Sequence, residues 1–244
     1  MLFFFEITPK PELVKFLPLL FAITISHLSH CQYADSIAAG KSHRFFRALT
    51  GPTFFIASGL IVKNHNEAIR TYFNTKLDER GPKAPSHVSD YTQFAPLALV
   101  FVMTAMHNKG EHKFLKQLSM AVQAEVLMIA MVRPLKHFTN EARPDGGPNS
   151  FPSGHTAQAF MAATFLHKEY GHKSIWYSVA GYTMASAVGT CRMMSNRHWA
   201  SDVLVGAGIG ILSTNLVYLG HKHRKTSRMN IAAAPRGVYF SMKL

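Results

Sequence analysis

Apolar residues in this chain gather into six blocks, at 52–62, 94–107, 118–133, 156–166, 174–190 and 203–220, with polar stretches between them. Each block reads as an apolar helix, and together they predict an all-α fold. The first block is only 11 residues long. That is short of the roughly 17 to 25 residues that cross a bilayer, so it is expected to lie tilted or partly inserted unless flanking residues join it.

Ahead of these blocks, residues 11–29 form a short apolar stretch with a basic residue before it, the pattern of a signal peptide or a short anchor. Residues 63–93 are polar, with Gly81-Pro82 and Pro85 as breakers, and read as an amphipathic helix followed by a loop. The expected organisation is therefore a signal peptide or N-terminal anchor at 1–31 and a polar, amphipathic segment with one short apolar helix at 32–93. A helical core at 94–220 and a basic cytoplasmic tail at 221–244 follow. As a fold class this is a polytopic membrane helical bundle of about six core helices.

Charge patterning orients the bundle. Lys109, Lys113 and Lys116 follow the second block, Lys168 and Lys173 follow the fourth, and Lys222, Arg224, Lys225 and Arg228 follow the last. Cytoplasmic loops carry the excess of Lys and Arg, so these three segments are expected inside and the loops at 136–155 and 192–202 together on the opposite face. Lys41, Arg44 and Arg47 would hold residues 32–51 inside as well, against the outside terminus that a cleaved signal peptide leaves.

Composition agrees with a membrane protein. Charged residues make up 16% of the 244 positions and hydrophobic residues 48%, whereas soluble domains carry roughly 25% charge. The net charge of +13, from 26 basic and 13 acidic residues, suits an anionic membrane or an anionic substrate. No RNA-binding motif or zinc finger accompanies it, so nucleic acid is set aside as a partner. The two cysteines, Cys31 and Cys191, make no metal-ligand cluster, and the 14 histidines show no His-Glu-x-x-His spacing.

The residues that can carry chemistry stand between the apolar blocks. Lys136 and Arg143 supply an ammonium and a guanidinium fork, and Arg192 a second fork, suited to the oxygens of a tetrahedral dianion. Ser153-Gly154-His155-Thr156 opens an apolar run, so the backbone N–H groups of a helix start can point at an anion, with Gly154 allowing close approach. Breaking a bond needs a nucleophile and an acid for the departing alkoxide. Asp202, four residues after His198, can fix one ring nitrogen and leave the other to attack phosphorus. His198 is thus the expected nucleophile, Asp202 its orienting partner and His155 the general acid.

Lys-x6-Arg-Pro (Lys136 to Pro144), Pro-Ser-Gly-His (Pro152 to His155) and Arg-x5-His-x3-Asp (Arg192 to Asp202), in this order, resemble the three motifs of the type 2 phosphatidic acid phosphatase superfamily. That superfamily includes bacterial lipid phosphatases, soluble acid phosphatases and vanadium haloperoxidases. The resemblance covers roughly residues 90–220 and departs from the family at Cys191, where Ser is usual. It implies a phosphohistidine on His198, leaving-group protonation by His155, phosphate binding by Lys136, Arg143, Arg192 and the amides near Ser153 and Gly154, and no metal or other cofactor. It also implies a six-helix core, matching the six blocks.

The activity implied is a membrane phosphatase acting on a lipid phosphate monoester or diphosphate: phosphatidic acid, phosphatidylglycerol phosphate, a lipid A phosphate or a polyprenyl diphosphate. Bacterial lipid A and phospholipid phosphatases look most similar in layout, which implies an inner-membrane protein with its site on the periplasmic face. Two rival readings are a haloperoxidase-like oxidoreductase with vanadate on His198 and a non-catalytic lipid-binding protein. Beyond the site, Gly206 and Gly210 form a Gly-x3-Gly expected to pack helices closely within the chain, Arg197 is expected at the rim, and residues 63–93 are expected near the headgroup as a cap.

Overall fold

The computed structural model describes residues 41–78, 86–226, 229–234 and 237–242. The expected signal or anchor at 1–31, Cys31 and the breakers at 81, 82 and 85 lie outside the described residues. All six apolar blocks are helical. Helix α1 (Lys41–Val62) passes through a 3-10 turn (Lys63–His65) into α2 (Asn66–Asp78), and a short α3 (Ser86–Thr92) precedes α4 (Ala95–Ala105). The remaining helices are α5 (Phe114–Thr139), α6 (Gly154–Tyr170), α7 (Ile175–Met194) and α8 (Ala200–Thr226). Beyond them β1 (Met229–Ala234) and β2 (Gly237–Met242) form an antiparallel hairpin with Met229 opposite Met242.

The block at 52–62 is the second half of a longer helix. Proline leaves the carbonyl four residues back without its N–H partner, which usually ends or kinks a helix. In α1 Pro52 lies inside the helix, and the carbonyl it orphans, that of Ala48, accepts a hydrogen bond from Nδ2 of Asn215 on α8 at 2.8 Å. The helix therefore continues and gains the length the apolar block lacks by itself.

Helices α6 and α8 form the centre. α6 is buried continuously from Thr156 to Leu166, and α8 lies against it through glycines. A Cβ on Gly206 would stand 2.5 Å from the carbonyl oxygen of Ser153, and one on Gly210 would stand 2.2 Å from that of Ala157. Only glycine permits this backbone approach, and it seats the start of α6 on α8. Around this pair Phe55, Phe160, Tyr182 and Ile211 fill one cluster, Val100, Met120, Phe165 and Tyr170 a second, and Met128, Val132, Phe151 and Val205 a third.

Among the described residues three stretches of helix are long and apolar enough to cross a membrane: Phe45–Thr75, Phe114–Thr139 and Ala200–His221. On α1 and α5 Phe46, Leu60, Ile61, Leu115, Val126 and Phe138 face outward and are exposed. Large apolar side chains left outside on helices this long are the surface that a bilayer covers. The chain is an integral membrane protein.

At the end of α6 remote from Gly154, the fully buried Glu169 is satisfied from several directions. It accepts from the backbone N–H of His112 at 3.0 Å, from Nε2 of Gln117 at 2.9 Å and from the hydroxyl of Tyr218, and it meets Nδ1 of His112 at 2.8 Å. This polar knot ties the loop before α5 to α6 and α8.

Candidate active site

The other end of the bundle gathers the C-termini of α5 and α7 and the N-termini of α6 and α8, which is why three motifs distant in sequence meet. Asn140 ends α5 in the left-handed conformation (φ 41°), which asparagine tolerates, with its N–H on the carbonyl of Lys136 at 3.2 Å. Lys136 thus sits in the last turn, and its Nζ donates to the carbonyls of Asn149 at 2.8 Å and Ser150 at 3.2 Å. Ser153 caps α6, its hydroxyl accepting from the N–H of Thr156 at 3.4 Å.

His198 and Asp202 are both buried. Oδ2 of Asp202 lies 3.4 Å from Nδ1 of His198 and accepts the N–H of Trp199 at 3.0 Å and the hydroxyl of Ser150. The backbone carbonyl of Asp202 accepts the N–H of Ser153 at 3.0 Å, joining the second motif to the third. Burial lowers the imidazole of His198 to about 4, with Lys136 and Arg192 adding to the fall and Asp202 opposing it. At neutral pH the ring is therefore uncharged, and with Nδ1 turned to Asp202 its free lone pair is on Nε2.

Arg143 and Arg192 each bury an Nε that has no hydrogen-bond partner among the described residues. The loop that carries Arg143 is stitched to the turn that carries His198. Arg70 donates to the carbonyl of Pro144 at 3.0 Å and to Oδ1 of Asn196 at 3.2 Å, and its guanidinium lies over the Trp199 ring. Trp199 donates Nε1–H to the carbonyl of Ala142 at 2.8 Å. Arg197, exposed, meets Asp145 at 3.3 Å. Gly154 faces Lys136, since a Cβ there would lie 4.0 Å from its Cε.

His155, in the first turn of α6, meets Oδ1 of Asp90 through Nε2 at 2.9 Å. The same oxygen lies 3.2 Å from Nη1 of Arg192, and that nitrogen also donates to Ser89 at 3.1 Å. Ser89 and Asp90 belong to α3, so part of the polar segment at 63–93 does lie against the site.

All eight residues singled out from the sequence are at this end of the bundle: His198, His155, Asp202, Lys136, Arg143, Ser153, Gly154 and Arg192. Two have duties that spacing does not reveal. The N–H of Ser153 is taken by Asp202, which leaves the first-turn N–H groups of Gly154 and His155, without intrahelical acceptors, to face an anion. Lys136 is partly engaged in holding the loop at 149–150. Cys191, the departure from the usual third motif, is a free thiol. Asp90, Ser150, Asn66 and Arg70 were not anticipated. Asn66 exchanges two hydrogen bonds with Ser201, at 2.8 and 3.1 Å, fixing the start of α8.

A profile of the PAP2 superfamily matches residues 52–225, a range that includes every site residue. The chain belongs to the PAP2 superfamily. Among curated members it is 42% identical over 172 residues to the lipid A 1-phosphatase of Porphyromonas gingivalis, a match covering 67% of this chain and 36% of that one. It is 26% identical over 146 residues to the lipid A 1-phosphatase of Helicobacter pylori, covering 55% of this chain and 75% of that one. The chain thus spans about a third of the Porphyromonas relative. Among solved structures, Aquifex aeolicus LpxE aligns with TM-score 0.48 at 24% identity, over 61% of this chain and 93% of that one. The PAP2-type phosphatidylglycerolphosphate phosphatase of Bacillus subtilis aligns with TM-score 0.42 at 19% identity, over 88% and 96%.

Proposed function

We propose that this protein is a metal-independent phosphatase of membrane lipids that carries the phosphoryl group on His198. The observation that supports it most is the pair of buried guanidinium Nε atoms on Arg143 and Arg192, unpartnered among the described residues, with a buried neutral imidazole at the same end of the bundle. Buried donors without acceptors cost free energy, and a phosphate supplies oxygens for both forks at once.

The steps follow from the groups present. Nε2 of His198 attacks phosphorus while Nδ1 stays turned to Asp202. Lys136, Arg143 and Arg192 neutralise the phosphoryl oxygens, helped by the N–H groups that open α6; this electrostatic work is the larger part of catalysis in phosphoryl transfer. The P–O bond breaks, its electron pair goes to the leaving oxygen, and His155 protonates that oxygen. Water then attacks the phosphohistidine, His155 takes up its proton, and the N–P electron pair returns to His198 with release of phosphate.

Both curated relatives are named for the 1-phosphate of lipid A, which makes that lipid the favoured substrate. A bacterial inner membrane with the site on the periplasmic face accords with the basic residues Lys109 and Lys113 before α5, Lys168 in the last turn of α6 and Lys173 after it, all at helix ends remote from His198. The test is phosphate release by the full chain in detergent with EDTA present, from lipid A, phosphatidic acid, phosphatidylglycerol phosphate and polyprenyl diphosphate, beside His198→Ala. Release that survives EDTA, vanishes in the variant and is fastest on lipid A is the expected result. Release abolished by EDTA, or unchanged in His198→Ala, would refute the mechanism.

A further inference from the structure

Burial, above all, works against a protonated His155, and nearby positive charge adds to it. The charges of Arg192 on α7 and Lys136 on α5 oppose the proton, and the ring stands in the first turn of α6, where aligned peptide dipoles are positive. A general acid must nevertheless hold a proton to give. Among the described residues, the carboxylate set against this ring is Asp90, with Oδ1 at 2.9 Å from Nε2. Asp90 is also faced by His87, whose Nδ1 lies 3.8 Å from the other carboxylate oxygen.

The geometry also shows what Asp90 is not. A carboxylate standing in for substrate phosphate would take the Arg192 fork along two parallel N–H groups. Asp90 takes Nη1 alone, Ser89 shares that nitrogen at 3.1 Å, and Nε of Arg192 is buried with no partner among the described residues. The edge of the fork that carries Nε is left for phosphate. Asp90 thus grips the outer corner of Arg192 and one nitrogen of His155, orienting both at once.

We propose that Asp90 is the positioning residue of the leaving-group acid, its Oδ1 fixing Nε2 of His155 and Nη1 of Arg192 so that the proton passes to the leaving oxygen from Nδ1. This rests on the phosphatase reading above. As the N–P bond to His198 forms and the P–O bond breaks, the bond pair moves to the leaving oxygen, which takes the proton from Nδ1. His155 is left neutral, still donating Nε2–H to Asp90. In the second half Nδ1 removes a proton from the attacking water, and the N–P pair returns to His198. The two histidines are then held by carboxylates at opposite ring nitrogens, Nδ1 in His198 and Nε2 in His155.

The test compares two substrates of the full chain in detergent: phosphatidic acid, whose alkoxide needs a proton to leave, and p-nitrophenyl phosphate, whose phenolate does not. Asp90→Asn is expected to lower kcat on phosphatidic acid roughly 10- to 100-fold, part of what general acid catalysis supplies, with a much smaller loss on p-nitrophenyl phosphate. Asp90→Glu should recover part of that loss. His155→Asn should show the same substrate dependence, and the double variant should be little slower than His155→Asn alone, because one residue acts through the other. Turnover of p-nitrophenyl phosphate by Asp90→Asn reports that the variant is folded.

Wild-type kcat on phosphatidic acid in Asp90→Asn would overturn the assignment, as would equal losses on both substrates with additive effects in the double variant. A lower KM with faster turnover of both substrates would also overturn it, marking Asp90 as an occupant of the phosphate's place. These outcomes presuppose an active wild type that His198→Ala silences. A wild type inactive on these two substrates and on lipid A as well would instead refute the phosphatase reading and the proton step with it.

Discussion

Asp202 holds Nδ1 of His198 from a position with no solvent exposure, its Oδ2 lying 3.4 Å from the ring and also receiving the N–H of Trp199 and the hydroxyl of Ser150. Every one of these contacts requires an acceptor. Asp202→Asn keeps the shape but turns an NH2 toward donors or removes the charge that orients the ring. It is expected to lower kcat by roughly 100-fold or more and to lower the melting temperature in detergent by several degrees. A variant with unaltered kcat would show that His198 does not depend on this partner.

The pH dependence follows from the burial of His198. Its folded value of about 4 lies below the ordinary 6.5, so the attacking, neutral ring persists well into acid. The acid limb of kcat/KM is expected below pH 6, and a limb near 6.5 would contradict a buried nucleophile. Stability has the same sign: between these values the unfolded chain binds the proton and the folded chain does not. This contribution is therefore full above 6.5 and is lost as pH falls through about 4. Thermal unfolding across pH 4 to 7, with His198→Ala as reference, measures it.

The glycines of α8 allow a sharp contrast. Gly210→Ala would drive a Cβ to 2.2 Å from the carbonyl of Ala157, and Gly206→Ala one to 2.5 Å from that of Ser153, whereas a Cβ on Gly220 would meet nothing within 4 Å among the described residues. The first two should destabilise by about 1 to 3 kcal/mol through overpacking. Gly206→Ala should also reduce activity, because it displaces the cap of α6. Gly220→Ala should be neutral or stabilising by up to about 1 kcal/mol. Melting temperatures of the three side by side decide the matter.

Glu169 separates stability from catalysis. It lies roughly 22 Å along α6 from Gly154 at 1.5 Å per residue. Glu169→Ala would strand His112, Gln117 and the hydroxyl of Tyr218. A loss of about 3 kcal/mol or more is expected, with kcat of the remaining folded protein within a few-fold of wild type. A large fall in kcat at full stability would place Glu169 in the chemistry.

Much of this was legible in the sequence because both signals are local. The six apolar blocks stand out against their polar neighbours, and His198 with Asp202, or Ser153 with His155, lie within a turn of each other. Other features depend on contacts that no local pattern contains. Pro52 reads as a helix breaker, and what rescues α1 is an asparagine 167 positions from Ala48. Asp90 looks like any acid in a polar segment until Arg192, 102 positions away, is set beside it. Ser153 announces a helix cap, but its N–H bond to Asp202 comes only from the close approach that Gly206 allows.

The burial of Asp202 has a consequence for descent. Ser150, Ser153, His198 and Trp199 all depend on it, so a lineage selected only to keep this bundle folded would retain the aspartate after catalysis had ceased to matter. His155 is only part-buried and fastens little beyond α3, so drift would erase it first. An inactive descendant of this protein should therefore be recognised by a missing His155, and an intact Asp202 should not be taken as a sign of activity.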